Sequence, residues 1–539
     1  MTLLRLFSFS SVAACLATAA AAVVTPGGVC NVLEHGAVAD GQTLNTAALN
    51  RLVAEASAAG GGTVYFPAGT YLTGTIFLQS GVTLRLDSGA TILGSTDLAD
   101  YPENPPPRKS SHLEFGRYAL ISADGQHDIA LVGPGRIRGQ GSHPNFTKKD
   151  LIARGWSKTD AYLKRPYGLS FVRCRRVTVQ DVALEDIAFW CQHYLDCDDV
   201  VVHGVSVDSL KHDYNNDGID IDSSRRVRVS DCHFRAGDDA ICLKASYRDC
   251  EDITITNCTG TSYANGVKFG TASNGGFKNI AISNLVFDGV GAAGIALEIV
   301  DGGTMDGVAL SNIVMRDVGS AIFIRLGNRG SRWIDEMEKP GIGTLRNVSI
   351  DHVVASVRGS DTRPLASSIT GLPGHPVENV SLSNVRIVTE RSHPRADAEI
   401  ALAAVPEAEK GYPENGMFGP LPAYGLFVRH IHGLTLHNIE LSFAGSDYRS
   451  ALVAQDVEDL ALDGFAARTL PESKPVVLLA GVKRATLTGV VARPGTATFL
   501  RVEDASEGVS VLGSDLAQAR TPVSSAGTAV VFLNGNRLP

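Results

Sequence analysis

The chain has 539 residues, 44% of them hydrophobic, and a formal charge of −9, with Lys and Arg scattered singly among the acids. That length allows a large buried core and suggests several domains unless a repeat unites them. The absence of a basic block removes the cationic stripe that nucleic acid or an anionic membrane surface demands, so neither is expected as a partner.

Residues 1–24 read as an export signal: Arg5 supplies the positive charge, residues 6–16 the apolar stretch and the alanine-rich 17–22 the small residues before cleavage. A secreted or periplasmic protein is expected, and Val12-Ala13-Ala14-Cys15 offers an alternative lipoprotein site at Cys15. No later apolar run approaches the ~20 residues of a membrane span, and the mature chain, 25–539, is expected to be a monomer. Eight cysteines remain after residue 24, without a CxxC pair. They read as small buried apolar residues rather than as a disulfide framework whose connectivity could be deduced.

Residues 45–59 carry the clear amphipathic helix, with Leu49, Leu52, Val53 and Ala56 on one face and a triple glycine after it. Strands are expected at 63–66 and 70–72 around Pro67-Ala68-Gly69. This cap, about 30–72, precedes a repeat of two short apolar-x-apolar strands joined by a turn residue. The first apolar positions are Val177, Val200, Val227, Ile253, Ile280 and Val308, spaced 23, 27, 26, 27 and 28 residues apart. They resume at Val348, Val380, Leu434, Leu460, Ala485 and Val509.

A period in the twenties fits leucine-rich repeats or a β-helix. Here the apolar positions alternate with period two in β-branched runs and no helical segment separates them, which selects coils of short parallel strands. The predicted fold is all-β: a right-handed, single-stranded parallel β-helix, one domain over 25–539, capped by the N-terminal helix. Loop insertions are expected at about 325–345 and 388–430. The second holds Tyr412, Phe418 and Tyr424, suited to stacking on sugars or to folding on themselves.

The densest chemistry lies in Asn215-Asn216-Asp217-Gly218-Ile219-Asp220 and, 21 residues later, Gly237-Asp238-Asp239. One coil returns the chain to nearly the same angular position, so Asp217 is expected beside Asp238 and Asp239. Repulsion among them raises at least one pKa, and a protonated acid beside an ionised partner is what glycoside hydrolysis uses. A calcium site or turn hydrogen bonding remain alternatives on spacing alone.

These segments resemble glycoside hydrolase family 28, the polygalacturonase family. Asn215-Asn216-Asp217 is similar to its Asn-Thr-Asp motif and Gly237-Asp238-Asp239 to its Gly-Asp-Asp motif, while 36–41 and Phe66-Pro67-Ala68-Gly69-Thr70-Tyr71 resemble its N-terminal cap. The resemblance implies a hydrolase of a pectic polysaccharide, with no metal or cofactor. It makes Asp238 the general acid, with Asp217 and Asp239 activating water for inversion; acid and base carboxyls are then expected ~6.5–9.5 Å apart. Lys244 matches a lysine of the exo-acting branch and is expected to hold the sugar nearest the scissile bond, its alternative being a solvated lysine. Asn215 joins the substrate-binding set. Trp190 is expected to stack on a sugar or pack in the core, and His193 to bind a hydroxyl.

The chain departs from the family in two places. Asn265 stands where the Gly-His-Gly histidine belongs, with Lys268 on the same face as Gly266, and Ala296-Leu297-Glu298 stands where Arg-Ile-Lys grips a uronate. A galacturonate there loses two charge-assisted contacts and meets a carboxylate, which makes plain homogalacturonan doubtful. Arg325 offers a replacement cation, or an outward solvated residue. His203, His212 and His233 lack metal-ligand spacing. Competing readings are a calcium-dependent polysaccharide lyase and a non-catalytic glycan-binding β-helix.

Overall fold

The computed structural model describes residues 25–103, 118–210, 215–333, 338–358, 366–503, 505–527 and 529–539. The expected export signal with Cys15, and His212, lie outside them. Among the described residues 35 strands join into one hydrogen-bonded array whose strand pairs are all parallel, and the fold is a parallel β-helix.

The apolar repeat is the reason. Val177, Val200, Val227, Ile253, Ile280, Val308, Val348, Val380, Leu434, Leu460, Ala485 and Val509 stand in register as one continuous inward ladder. Each coil leaves its inward face exposed until the next stacks on it, so the residues fill one shared core. The helix Thr46–Ala58 closes the first coils, burying Leu49, Leu52, Val53 and Ala56. Strands Gly62–Phe66 and Gly69–Thr73 follow it around the expected turn. The eight cysteines from Cys30 to Cys258 are free and buried, as small apolar residues would be.

Two stretches leave the coil, 327–343 between the strands ending at Leu326 and starting at Thr344, and 390–422 between Thr389 and Ala423. A third excursion, 139–166, carries two further short helices, Lys148–Ala153 and Lys158–Leu163, which the sequence reading did not separate from the repeat. No helix among the described residues is long and apolar enough to cross a membrane.

One strip of the coil positions the chemistry. It runs through Tyr167–Val172, Gln192–Leu195, Ile219–Asp222, Ile241–Ala245 and Val267–Ser273 to the ends of Gly276–Ile299 and Thr304–Leu326. Tyr194, Ile221, Leu243, Phe269, Leu297 and Ile324 point into the core. By the period-two alternation of strands, His193, Asp220, Cys242, Lys268, Ala296 and Phe323 point outward.

Candidate active site

Asp217, Asp238, Asp239 and Asn265 sit on the turns that feed this strip. These turns stack closely: a Cβ on Gly218 would lie 2.5 Å from the Ala240 carbonyl oxygen, and one on Gly266 2.7 Å from that of Gly294. Only glycine allows that approach, and it sets the aspartates of successive coils side by side. One carboxyl oxygen from each of Asp217, Asp238 and Asp239 lies within 4.8 Å of the others. The expected meeting of the three is observed, with a spacing tighter than the ~6.5–9.5 Å expected from inversion.

The three environments differ. The Asn215 backbone N–H donates to Asp238 Oδ2 at 2.8 Å and the Asp239 N–H to Oδ1 at 3.1 Å. Burial, then the Asp239 charge, push the Asp238 carboxyl up to about 6. Asp239 is equally enclosed, yet Lys268 at 3.3 Å, Lys244 and two hydrogen bonds from Asn265 (backbone N 3.0 Å, Nδ2 2.8 Å) outweigh burial and hold it below the usual carboxylate range. Asp217 is pushed well up by burial and by Asp220 and Asp238, and its Oδ1 accepts no hydrogen bond from the described residues. The group titrates as a coupled set, so neighbouring carboxyls hold their protons unequally.

Asn265 answers the histidine substitution. Its side chain donates to Asp239 and its Oδ1 accepts from the Ala293 N–H at 3.1 Å, tying the aspartate to the next coil. Lys244 is buried rather than solvated: its Nζ lies 2.9 Å from Asp220, 3.8 Å from Asp217 and 4.7 Å from the Trp190 ring centroid. The geometry supports the core alternative for Trp190, which stacks on Tyr167 at 5.5 Å and 9° and supports Lys244 from beneath. His193 is likewise enclosed, edge-on to Trp190 and 3.9 Å from Asp222, with Nε2 lacking a hydrogen bond among the described residues.

Arg325 corrects both of its expectations. It is buried and neither solvated nor free to grip a uronate, because its guanidinium donates to Thr370 Oγ1 and to the carbonyls of Gly371, Glu407 and Ala408. Burial lowers its pKa to about 10. It fastens the 390–422 insertion, whose Val405, Phe418 and Leu421 cover Ala296, Phe323 and Phe427 on the outer face of the strip. Phe418 and Tyr424 are therefore core residues, and Tyr412 alone of the three expected aromatics stays exposed.

Glu298 is buried beside Gly270, with Oε2 lacking a hydrogen bond; burial, opposed by Lys268 and reinforced by Asp239, pushes its carboxyl up to about 8. Sequence reasoning missed Asp220 and Asp222. Ile219 and Ile221 being inward, strand alternation alone would have placed both acids outward with the site. Asp222 accepts from the Ser246 N–H and hydroxyl at 3.0 and 2.7 Å. The sets Asp217–Asp238–Asp239 and Asp217–Asp220–Cys242 have the spacing of metal ligands, but the ammonium groups of Lys244 and Lys268 already lie against Asp220 and Asp239, where a cation would sit.

A parallel β-helix with a compact, unequally protonated carboxylate cluster on its outer wall defines a class, the glycoside hydrolases built on a solenoid. The chain belongs to glycosyl hydrolases family 28, whose sequence model it matches over residues 60–401. It is 25% identical to a probable polygalacturonase of Vitis vinifera over 375 residues, 66% of this chain and 74% of that one. It is 28% identical to the exo-poly-alpha-D-galacturonosidase of Dickeya chrysanthemi over 253 residues, 40% of this chain and 41% of the relative. The fold is shared with a hyperthermoactive exopolygalacturonase of Thermotoga maritima, with TM-score 0.57, 24% identity, and 68% of this chain and 88% of that one covered.

Proposed function

We propose that residues 25–539 act as one exported, monomeric hydrolase that cleaves glycosidic bonds of a pectic polysaccharide from the chain end. The observation that carries the hydrolytic reading is the split within the cluster: Asp238 keeps its proton to about pH 6 while Asp239, beside it, stays ionised. In the proposed step the Asp238 proton passes to the glycosidic oxygen as the bond to the anomeric carbon breaks. A water attacks that carbon and gives its proton to Asp239. Asp217, pushed toward its protonated form, orients the water rather than deprotonating it.

Action at the chain end is supported by the roof over the strip. Beyond Lys268 and Glu298, the outer face at Ala296, Phe323 and Phe427 is covered by Val405, Phe418 and Leu421. A polymer lying across the strands, along that strip, would have to displace the packing, so a chain terminus fits better than an internal segment.

A second stereochemical reading has a specific observation behind it. Carboxyl oxygens within 4.8 Å of one another are closer to the ~5–5.5 Å of retaining enzymes than to the inverting range, and would let Asp239 attack directly. NMR of the first-formed anomer decides: a configuration opposite to the cleaved bond supports the water-attack step, and retention replaces it. The hydrolase reading is tested by digesting pectic fractions. Single sugars or short units released with new reducing ends support it. Chelator-sensitive appearance of unsaturated, ultraviolet-absorbing products would assign a lyase instead, and binding without release would assign a glycan-binding scaffold.

A further inference from the structure

Around the aspartates, each cation of the described residues is already engaged. Lys244 lies 2.9 Å from Asp220, and Lys268 3.3 Å from Asp239. Arg329 pairs with Asp301 through two nitrogens and also donates to the Thr271 carbonyl. Arg325 donates through both terminal nitrogens to the carbonyls of Gly371, Glu407 and Ala408, leaving only Nε unpartnered among the described residues, and Arg429 pairs with Glu407 at 3.1 Å. Beside them Glu298 is buried, its Oε2 without a hydrogen-bond partner among the described residues.

Over this patch lies one open aromatic surface. Tyr412 is 52% exposed, its ring centroid 5.6 Å from Lys268 Nζ and 5.8 Å from the Arg329 guanidinium carbon. A ring placed so offers an apolar platform to a pyranose, with an ammonium group at its side for a hydroxyl. It offers nothing to a carboxylate that Asp239 and Asp301 have not already taken. A bound uronate would have to compete with Asp239 for Lys268 and with Asp301 for Arg329, and a charge taken from water without a free partner costs binding.

We propose that the sugar resting on Tyr412 is uncharged, either a neutral sugar or a uronate masked as an ester, and that Glu298 is the residue that determines this. Glu298 acts by the cation it does not supply: buried against Gly270 and held in its uncharged form by burial at the pH where Asp238 is protonated, it gives a uronate no pairing charge at the position it fills. The inference rests on the hydrolase reading above and deepens it by naming the charge of one sugar in the cleaved chain.

The test compares three oligosaccharides of equal length: a free uronate oligomer, its methyl ester, and a neutral pectic side-chain oligomer. Wild type is expected to cleave an uncharged one with kcat/KM at least ~10-fold above the free acid. Whichever of the ester and the neutral oligomer leads identifies the source of the uncharged sugar. Glu298→Lys is expected to narrow that ratio at least ~10-fold, and Tyr412→Ala to raise KM for the uncharged chain with little change in kcat. Titration calorimetry of the same oligomers into Asp238→Asn decides the matter even if nothing is turned over or Glu298→Lys does not fold. Tighter binding of the free acid than of both uncharged oligomers overturns the proposal. The opposite order with no turnover in wild type upholds it and sinks the hydrolase reading alone.

Discussion

Two neighbouring stretches of one strip, built on the same register, are put to opposite uses. From His193 to Glu298 the outer face is charged and enclosed, yet incompletely satisfied, with Asp217 Oδ1 and Glu298 Oε2 lacking hydrogen bonds. From Ala296 to Val453 it is largely apolar and covered by the 390–422 insertion, with carbonyls accepting from Arg325 and Arg429; among the described residues only Arg325 Nε and Asn415 Oδ1 are left buried without a partner there. An unsatisfied buried polar group costs about 1–3 kcal/mol. A fold that carries more such groups in one stretch than in the next holds most of that cost where chemistry requires it.

Replacing groups on either side should therefore produce opposite signatures. The largest expected effect is Asp238→Asn, which keeps the shape and removes the proton: turnover falls at least ~10³-fold with KM little changed. In wild type the rate should fall as pH rises through about 6, because the raised folded-state pKa keeps the acid protonated only below that value. Near-normal turnover in the variant, measured as reducing ends released, removes Asp238 from the mechanism. Next comes Asn265→Ala, which deletes the side-chain donor to Asp239 and the tie to Ala293. Turnover should drop about 10²-fold by misplacement of the base. The pH profile should also shift, with the acidic limb moving upward as Asp239 loses a hydrogen bond that favours its charge. A loss of activity with an unchanged profile would mean that Asn265 is only structural.

Across the boundary, Arg325→Met should leave kcat largely intact on small substrates and act on stability. It strips donors from Gly371, Glu407 and Ala408, at a cost of about 3 kcal/mol, visible as a lower Tm and as protease cutting within 390–422. A variant as stable as wild type would show that the apolar packing of Phe418 and Leu421 holds the roof unaided.

The coil was legible in the sequence because burial in a β-helix enforces period two. Each of the twelve first apolar positions falls in a single ladder, and the irregular spacings from Val308 to Leu434 mark where the insertions leave it. The adjacency of Asp217 to Asp238 and Asp239 was legible for the same reason, since one turn of chain separates them. What covers an outward residue was not. His193 and Arg325 alternate outward, but Arg325 is covered by 407–408, a segment of the insertion whose placement no local periodicity encodes, and His193 and Trp190 are covered by ring contacts with Tyr167 of the adjacent coil, which the apolar repeat does not specify. The Lys244–Asp220 pair escaped notice because it crosses the ladder diagonally, Lys244 being in register with Asp222.

The smallest effect tests the plain wall of the coil, far from either stretch. Asn257, Asn284 and Asn312 stack at successive turns with φ of 56°, 57° and 56°, and Asn284 Nδ2 donates to Asn257 while its Oδ1 accepts from Asn312, each at 3.2 Å. Backbone conformation and the amide ladder both argue for asparagine here, and two substitutions separate them. Asn284→Ala loses both and should cost about 1–2 kcal/mol, since alanine keeps the Cβ but lacks the short polar side chain that lets asparagine tolerate the left-handed region. Asn284→Gly relieves the strain and loses only exposed hydrogen bonds, so it should cost less than half as much. Turnover should be untouched in both. If Gly proves as costly as Ala, the side-chain ladder rather than the turn conformation fixes the coil there, and the contrast between a satisfied wall and an unsatisfied site would extend to side-chain hydrogen bonds as well as to backbone ones.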